Sequence, residues 1–282
     1  MTEWIMSNGP VIRLGFFAGI FGLMALWEVV AARRELTASK GRRWLGNLGL
    51  VLLDTLIVRL LFPTAVVGMA LMVEEFGWGL FNLFSVPYWV AVLVSVVVLD
   101  CAIYVQHVMF HAIPALWRLH LVHHADLDFD VTTGIRFHPI EIVISMLIKL
   151  AVVSVLGPPV LGVLIFEVLL NGLALFNHAN VRIPLALDRV LRWIIVTPDM
   201  HRVHHSVDHV EHNTNFGFNL SCWDRLLGTY RDQPTKGHQE MVIGLKSFRD
   251  RTWQTLPRIL AMPFFKQAAS AARGGSEEGL RE

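Results

Sequence analysis

The chain has 282 residues, 54% of them hydrophobic and 17% charged, and a formal net charge of +1. Its mean hydropathy of +0.51 is too high for an ordinary soluble domain and indicates membrane spans. The balanced charge gives no basic excess for nucleic acid, and two cysteines, Cys101 and Cys222, make neither a disulfide framework nor an iron–sulfur motif.

Met1–Pro10 lacks a basic leader and the first apolar run is long enough to span, so no cleavable signal peptide is expected. The first span is expected over Val11–Ala32. A basic loop follows (Arg33, Arg34, Lys40, Arg42, Arg43), and the positive-inside rule puts it in the cytoplasm. A second span is expected over Leu45–Val73, with Asp54 and Arg59 facing the bundle or the interface because charge is costly in lipid. The loop Glu74–Pro87 has two acids and no Lys or Arg, which suits the outer side, and Tyr88–Gln106 returns the chain to the cytoplasm.

A fourth apolar region, Ile140–Phe176, is broken by Gly157-Pro158-Pro159. At ~1.5 Å per residue each half is ~25 Å long, so the region reads as a hairpin returning to the cytoplasmic side. Leu185–Val196 reads as an amphipathic helix lying in the interface. The rest is polar, and Ser270–Glu282 is expected to be disordered. The fold class is therefore all-α and integral to the membrane: four to five transmembrane or hairpin helices under a cytoplasmic, histidine-rich, di-metal helical cap. Three segments follow: N-terminal transmembrane helices over 1–84, a histidine-bearing segment over 85–235, and a polar C-terminal segment over 236–282.

Most of the 13 histidines fall between positions 107 and 212. His120-Leu121-Val122-His123-His124 and His201-Arg202-Val203-His204-His205 share one spacing, and His107 and His111 stand four apart. Positions i, i+3 and i+4 of a helix share a face, so each box can point three imidazoles at one spot. Neutral imidazole is the commonest protein metal ligand, and eight such residues are too many for one ion. Two metals are expected. His178 returns to the same side after the hairpin and is a ninth candidate. His138 is a further candidate, as ligand or as support, and His209 and His212 are weaker ones. His238, in a polar stretch with Gly and Lys, reads as surface. The Glu-X-X-His pairs of soluble di-iron bundles are absent from the sequence, so carboxylates near the boxes (Asp126, Asp199, Asp208) are candidates to orient imidazole N–H groups. Asn213 and Asn215 are candidates to fix a water or a loop. Trp117 and Phe137 flank the boxes as packing.

These residues resemble the fatty acid hydroxylase superfamily, which includes sterol desaturases, methylsterol oxidases and alkylglycerol monooxygenases. The resemblance covers roughly residues 85–235. It rests on His107-X3-His111, on both boxes, on Thr132–Glu141 (TTGIRFHPIE), on Phe176–Asn180 (FNHAN), on Thr197-Pro198-Asp199-Met200 before the second box, and on Asn213–Gly217 (NTNFG) with Trp223–Tyr230 (WDRLLGTY). It is strongest to bacterial members labelled "sterol desaturase family", a label that does not establish a sterol substrate.

The resemblance implies two irons, which zinc can replace in a purified protein, on the cytoplasmic side of a helical bundle in the bacterial inner membrane. It implies O2-dependent hydroxylation of a lipid, with desaturation as the alternative. His107, His111, His120, His123, His124, His178, His201, His204 and His205 are then the catalytic ligands. Some members carry an extra His-X3-His before the last box. Here position 174 is Ala, which makes His138 the natural further ligand. No Gly-X-Gly-X-X-Gly fingerprint and no haem signal occurs, so electrons are expected from a separate ferredoxin or cytochrome donor. Arg118, Arg182, Arg189, Arg192 and Arg202 are candidates for its docking face, although the positive-inside rule alone accounts for them. Trp193 and apolar span residues are candidates to steer the lipid. A metal transporter or sensor is the competing class; it would hold its ligands near the bilayer midplane, not at span ends.

Overall fold

A computed structural model describes residues 2–271. Among them there is no strand, only helices and three isolated bridges. Five helical segments are long and apolar enough to cross a membrane. The long helices are α1 (Thr2–Val30), α2 (Lys40–Leu61), α5 (Tyr88–Ala112), α7 (Pro139–Leu156) and α8 (Val160–Asn177), with the short α3 (Ala65–Glu75) and α4 (Leu80–Leu83) between α2 and α5. The second span differs from the expected single helix. It breaks at Phe62-Pro63-Thr64, because proline cannot donate into the ladder and the residue before it avoids helical geometry.

α1 packs along α8, and α5 lies between α8 and α7. Between helices in lipid, close packing replaces the hydrophobic drive. Val66, Leu99, Ile103, Val153, Val163 and Phe166 interlock there. Arg13 of α1 pairs with Glu167 of α8, which keeps two intramembrane charges neutral together. Asp54 is buried in the bundle while Arg59 is exposed. Leu52 (72% exposed) and Leu93 (66%) point outward, as lipid-facing residues do.

The hairpin turns where expected. Gly157 caps α7 at φ +65°, a left-handed conformation glycine tolerates, and Pro159 precedes α8. A cap of short helices closes one end of the bundle: α6 (Pro114–His124), α9 (Leu185–Leu191), α10 (Pro198–His204), α11 (His209–His212) and α12 (Cys222–Leu226). A second core of Leu50, Trp117, Leu121, Val122, Ile259 and Met262 fastens the C-terminal segment to α2 and α6. The basic loop after α1 sits at this same end, where Arg33 meets Asp199 and Arg34 meets the carbonyls of His238 and Met241. Of the tail expected to be disordered, all but Ser270 and Ala271 lies outside the described residues.

Candidate metal centre

The end of α5, all of α6, the end of α8 and α10 deliver the histidines. Pro114 and Pro198 start α6 and α10 at a first-turn position where their missing N–H costs nothing, and Thr197 caps α10 through the N–H of Met200. Nine imidazoles converge in two groups that could hold metal ions. His107, His111, His120, His124 and His204 form one; His123, His178, His201 and His205 form the other.

The expectation that each box serves one spot is corrected here. His120 and His124 share a group while His123 goes to the other, and His201 and His205 share a group while His204 crosses over. Successive helix residues are ~100° apart around the axis, so the i, i+4 pair stays together and its i+3 neighbour diverges. Each box therefore feeds both groups and ties them into one centre.

The proton positions follow from the partners of the outer nitrogens: backbone carbonyls, which can only accept, and the Glu141 carboxylate, which accepts when ionised. His107 Nδ1 meets the Phe216 carbonyl at 2.8 Å, and His120 Nδ1 meets Glu141 Oε1 at 2.6 Å. Both Nδ1 atoms therefore donate, and in the neutral rings both Nε2 atoms carry bare lone pairs. Those Nε2 atoms face each other at 3.1 Å. In the second group, His178 donates through Nδ1 to the Ala174 carbonyl, and its Nε2 lies 3.1 Å from the Nε2 atoms of both His123 and His201. Burial keeps the rings outside the spans neutral: it pulls His120 and His178 down to about 3, and His123, His124, His201, His204 and His205 well below the ordinary value of 6.5. Facing lone pairs repel unless a cation stands between them. Two nitrogens each ~2.0–2.1 Å from one ion lie about 2.9–3.4 Å apart at coordination angles between octahedral and tetrahedral, which matches these spacings. Several further buried nitrogens, among them His111 Nδ1, His201 Nδ1 and both of His205, have no hydrogen-bond partner among the described residues. The donor set fits two divalent metals bound through nitrogen.

The walls are aromatic. Phe137 stacks on His123 at 4.5 Å between ring centroids, Phe129 faces His178, and Trp117 touches His111 and His124. Gly134 is required where it stands: a Cβ there would meet the Ala174 carbonyl at 2.6 Å and His178 Nδ1 at 3.2 Å. Asp224 accepts from the N–H groups of Phe216 and Gly217 and so aims the Phe216 carbonyl at His107.

Residues 92–229 match the family model for fatty acid hydroxylase. The chain carries a fatty acid hydroxylase domain. Over 69% of its length it is 33% identical to an ornithine lipid hydroxylase of Rhizobium tropici, covering 56% of that protein. It is 27% identical to an alkylglycerol monooxygenase of Xenopus tropicalis over 77% of this chain and 47% of the relative. It is 26% identical to a cholesterol 25-hydroxylase of Rattus norvegicus over 51% of this chain and 47% of the relative. The chain thus spans about half the length of these curated relatives. No solved structure gives a significant match.

Some candidate residues of the hydroxylase domain lie elsewhere than expected. His138 stands apart from both groups: its Nδ1 caps α7 by accepting from the Ile140 N–H, and its Nε2 meets the Leu260 carbonyl. Asp126 makes no hydrogen bond to an imidazole among the described residues. It pairs with Arg43 and accepts from Asn47 and Thr133; burial pushes its carboxyl up, but Arg43 outweighs that and holds it at about 2. Asp199 pairs with Arg202 and Arg33, and Asp208 caps α11. Asn215 fixes a loop, bridging Met200 and Arg231. Arg202 and Arg192 are buried in ion pairs and offer no docking face, whereas Arg182 and Arg189 are exposed. His209 lies at the surface against Asn213; His212 is buried against His111, Trp117 and His124. His238 is also buried rather than on the surface, bonded to Gln233. The carboxylate that does orient an imidazole is Glu141. Its sequence signals are its place at the end of the Thr132–Glu141 motif and an acid opening a largely apolar helix, where an unpaired charge would be costly.

Proposed function

We propose that the protein is a membrane-bound di-iron oxygenase that hydroxylates a lipid, using O2 and electrons from a separate ferredoxin or cytochrome donor. The observation that carries this reading is the pair of histidine groups, nine ligand nitrogens in all, with facing bare lone pairs, set where apolar helices end. The hydroxylase and monooxygenase names of the relatives support it. His107, His111, His120, His124 and His204 would hold one iron, and His123, His178, His201 and His205 the other. Bound iron supplies the oxidising power that acid–base side chains lack.

The chain's own residues do the rest. The carbonyls of Phe216, Ala174 and Thr214, with the carboxylate of Glu141, keep protons on outer ring nitrogens and leave the inner ones free. Phe129, Phe137 and Trp117 exclude water. One atom of O2 enters a C–H bond of the lipid and the other leaves as water, with two electrons and two protons supplied from outside. The positive-inside rule, applied to the arginines at the capped end, supports a cytoplasmic position for that end, in reach of a soluble donor.

The test is comparative lipid mass spectrometry of cells with and without the protein, together with metal analysis of protein purified without air. The reading expects two irons per chain, oxygen consumption on reduction, and a lipid that gains one oxygen atom. A lipid that loses two hydrogens instead identifies a desaturase. Weakly held zinc with no oxygen consumption would defeat both.

A further inference from the structure

An apolar groove of about 530 Å³ runs between α5 and α7 on the membrane-spanning part of the bundle. Cys101, Ala102 and Val105 line it from α5, Ile148 and Val152 from α7, and Trp223 adds a further wall. Trp223 is held there by Asp100, which accepts its indole N–H at 2.8 Å. The volume is within the range of small-ligand pockets, ~300–1,000 Å³. Val105 on its rim is 46% exposed, so the groove opens sideways toward lipid.

The groove also has a direction. Gln106 is its one polar wall residue, and its amide donates to Ser145 Oγ at 3.0 Å, bridging the two helices. On α7 the positions 152, 148, 145 and 141 are spaced by four, three and four, which is one helical face. Val152 and Ile148 line the groove, Ser145 makes the bridge, and Glu141 receives the His120 N–H. From Ile148 to Glu141 is about 10 Å along the axis. His107 lies on another side of α5, so the face of α7 that carries Ser145 and Glu141 is what joins the groove to the histidine centre.

We propose that this groove holds the alkyl chain of the membrane lipid on which the protein acts, entering sideways between α5 and α7. This rests on the oxygenase reading above. The occupant is a chain rather than a partner helix, because the groove is concave, short and bridged by Gln106 and Ser145, whereas a packed helix needs an open face with axes 8–10 Å apart. Its only source of apolar chains at that depth is the bilayer.

The experiment uses the full, iron-loaded protein in lipid nanodiscs containing phosphatidylcholine with a photoactivatable diazirine on one acyl chain. Peptide mass spectrometry reads the labelled residues. Label should concentrate on Cys101, Val105 and Ile148 over the outward-facing Leu52 and Leu93. Ala102→Trp fills the groove and should cut that labelling about tenfold, the effect of displacing roughly two buried methylenes, while Leu52 and Leu93 are unchanged. Lipid oxidation should fall with it and metal content should not. If Ala102→Trp loses its metal, Val152→Phe narrows the groove from α7 and decides. Even labelling over the groove and the outward residues, or groove labelling untouched by filling, would show plain bilayer surface and overturn the proposal. So would lipid oxidation that persists when the groove is filled. Specific labelling, with no lipid oxidised by the unaltered protein, leaves a chain-binding groove standing and defeats the oxygenase reading instead.

Discussion

His120 Nδ1 donates to Glu141 Oε1 across 2.6 Å, joining the first histidine box to the opening turn of α7. The two side chains are almost fully buried. This contact fixes which nitrogen of His120 faces its group. A carboxylate in that position raises the basicity of the ring and holds its plane, and losing such a partner costs ~10–100-fold in metal affinity. Glu141→Ala should weaken metal binding by that factor, read by competition with a chelator. Glu141→Gln keeps an acceptor for the same N–H and should recover most of the affinity. Equal loss in both variants would mean that the charge, not the orientation, is what His120 needs.

His138 provides the contrast. It stands apart from both groups and caps α7 instead. His138→Ala should keep the full metal content and lose only the cap, about 1 kcal/mol. His123→Ala and His204→Ala should each bring metal content toward half, since each removes a donor from a different group. Metal analysis of the three purified variants separates the cases; metal lost from His138→Ala would put a tenth ligand back on the list.

Arg43 is fully buried at the start of α2 and reaches Asp126 at 2.5 Å and Asp130 at 2.6 Å, tying α2 to the loop that follows the first box. Removing one partner of a buried ion pair strands the other, at ~3–5 kcal/mol. Arg43→Ala should therefore lower the thermal midpoint sharply, and Arg43→Lys, which cannot span two carboxylates as a fork, should do so in part. Metal loss should follow unfolding rather than precede it.

The sequence makes some of this legible and hides the rest for physical reasons. Apolar runs mark the spans, and Gly157-Pro158-Pro159 marks the hairpin, because these signals are local. The two boxes and the His107–His111 pair mark eight histidines on helix faces because i, i+3 and i+4 spacing is local too, and His178 joins them from the end of the hairpin. How each box divides between groups depends on where the other helices stand, so His123 and His204 could not be assigned from their own segments. Asp126 is next but one to His124 in sequence yet turns to Arg43, a residue 83 positions away. Glu141 turns to His120 across 21 positions, and His238 is buried only because the cap folds over it. Long-range pairing of charges overrides proximity along the chain.

His238, which belongs to neither metal group, gives a separable part of the pH dependence. Burial lowers its pKa to about 4, with Asp199 opposing and Arg202, Arg33 and Arg192 adding to the shift. Unfolded, the ring takes a proton below ~6.5; folded, it does so only below about 4. Between those values the unfolded chain binds the extra proton, so stability rises with pH. The contribution is complete above pH ~6.5 and is lost as pH falls toward 4, at up to ~1.4 kcal/mol per unit and ~3 kcal/mol in all. Thermal midpoints measured at pH 7 and pH 5 should differ more for the unaltered protein than for His238→Gln, which keeps a polar side chain but cannot take up the proton. Equal differences would mean that the ring is reached by water and titrates alike in both states.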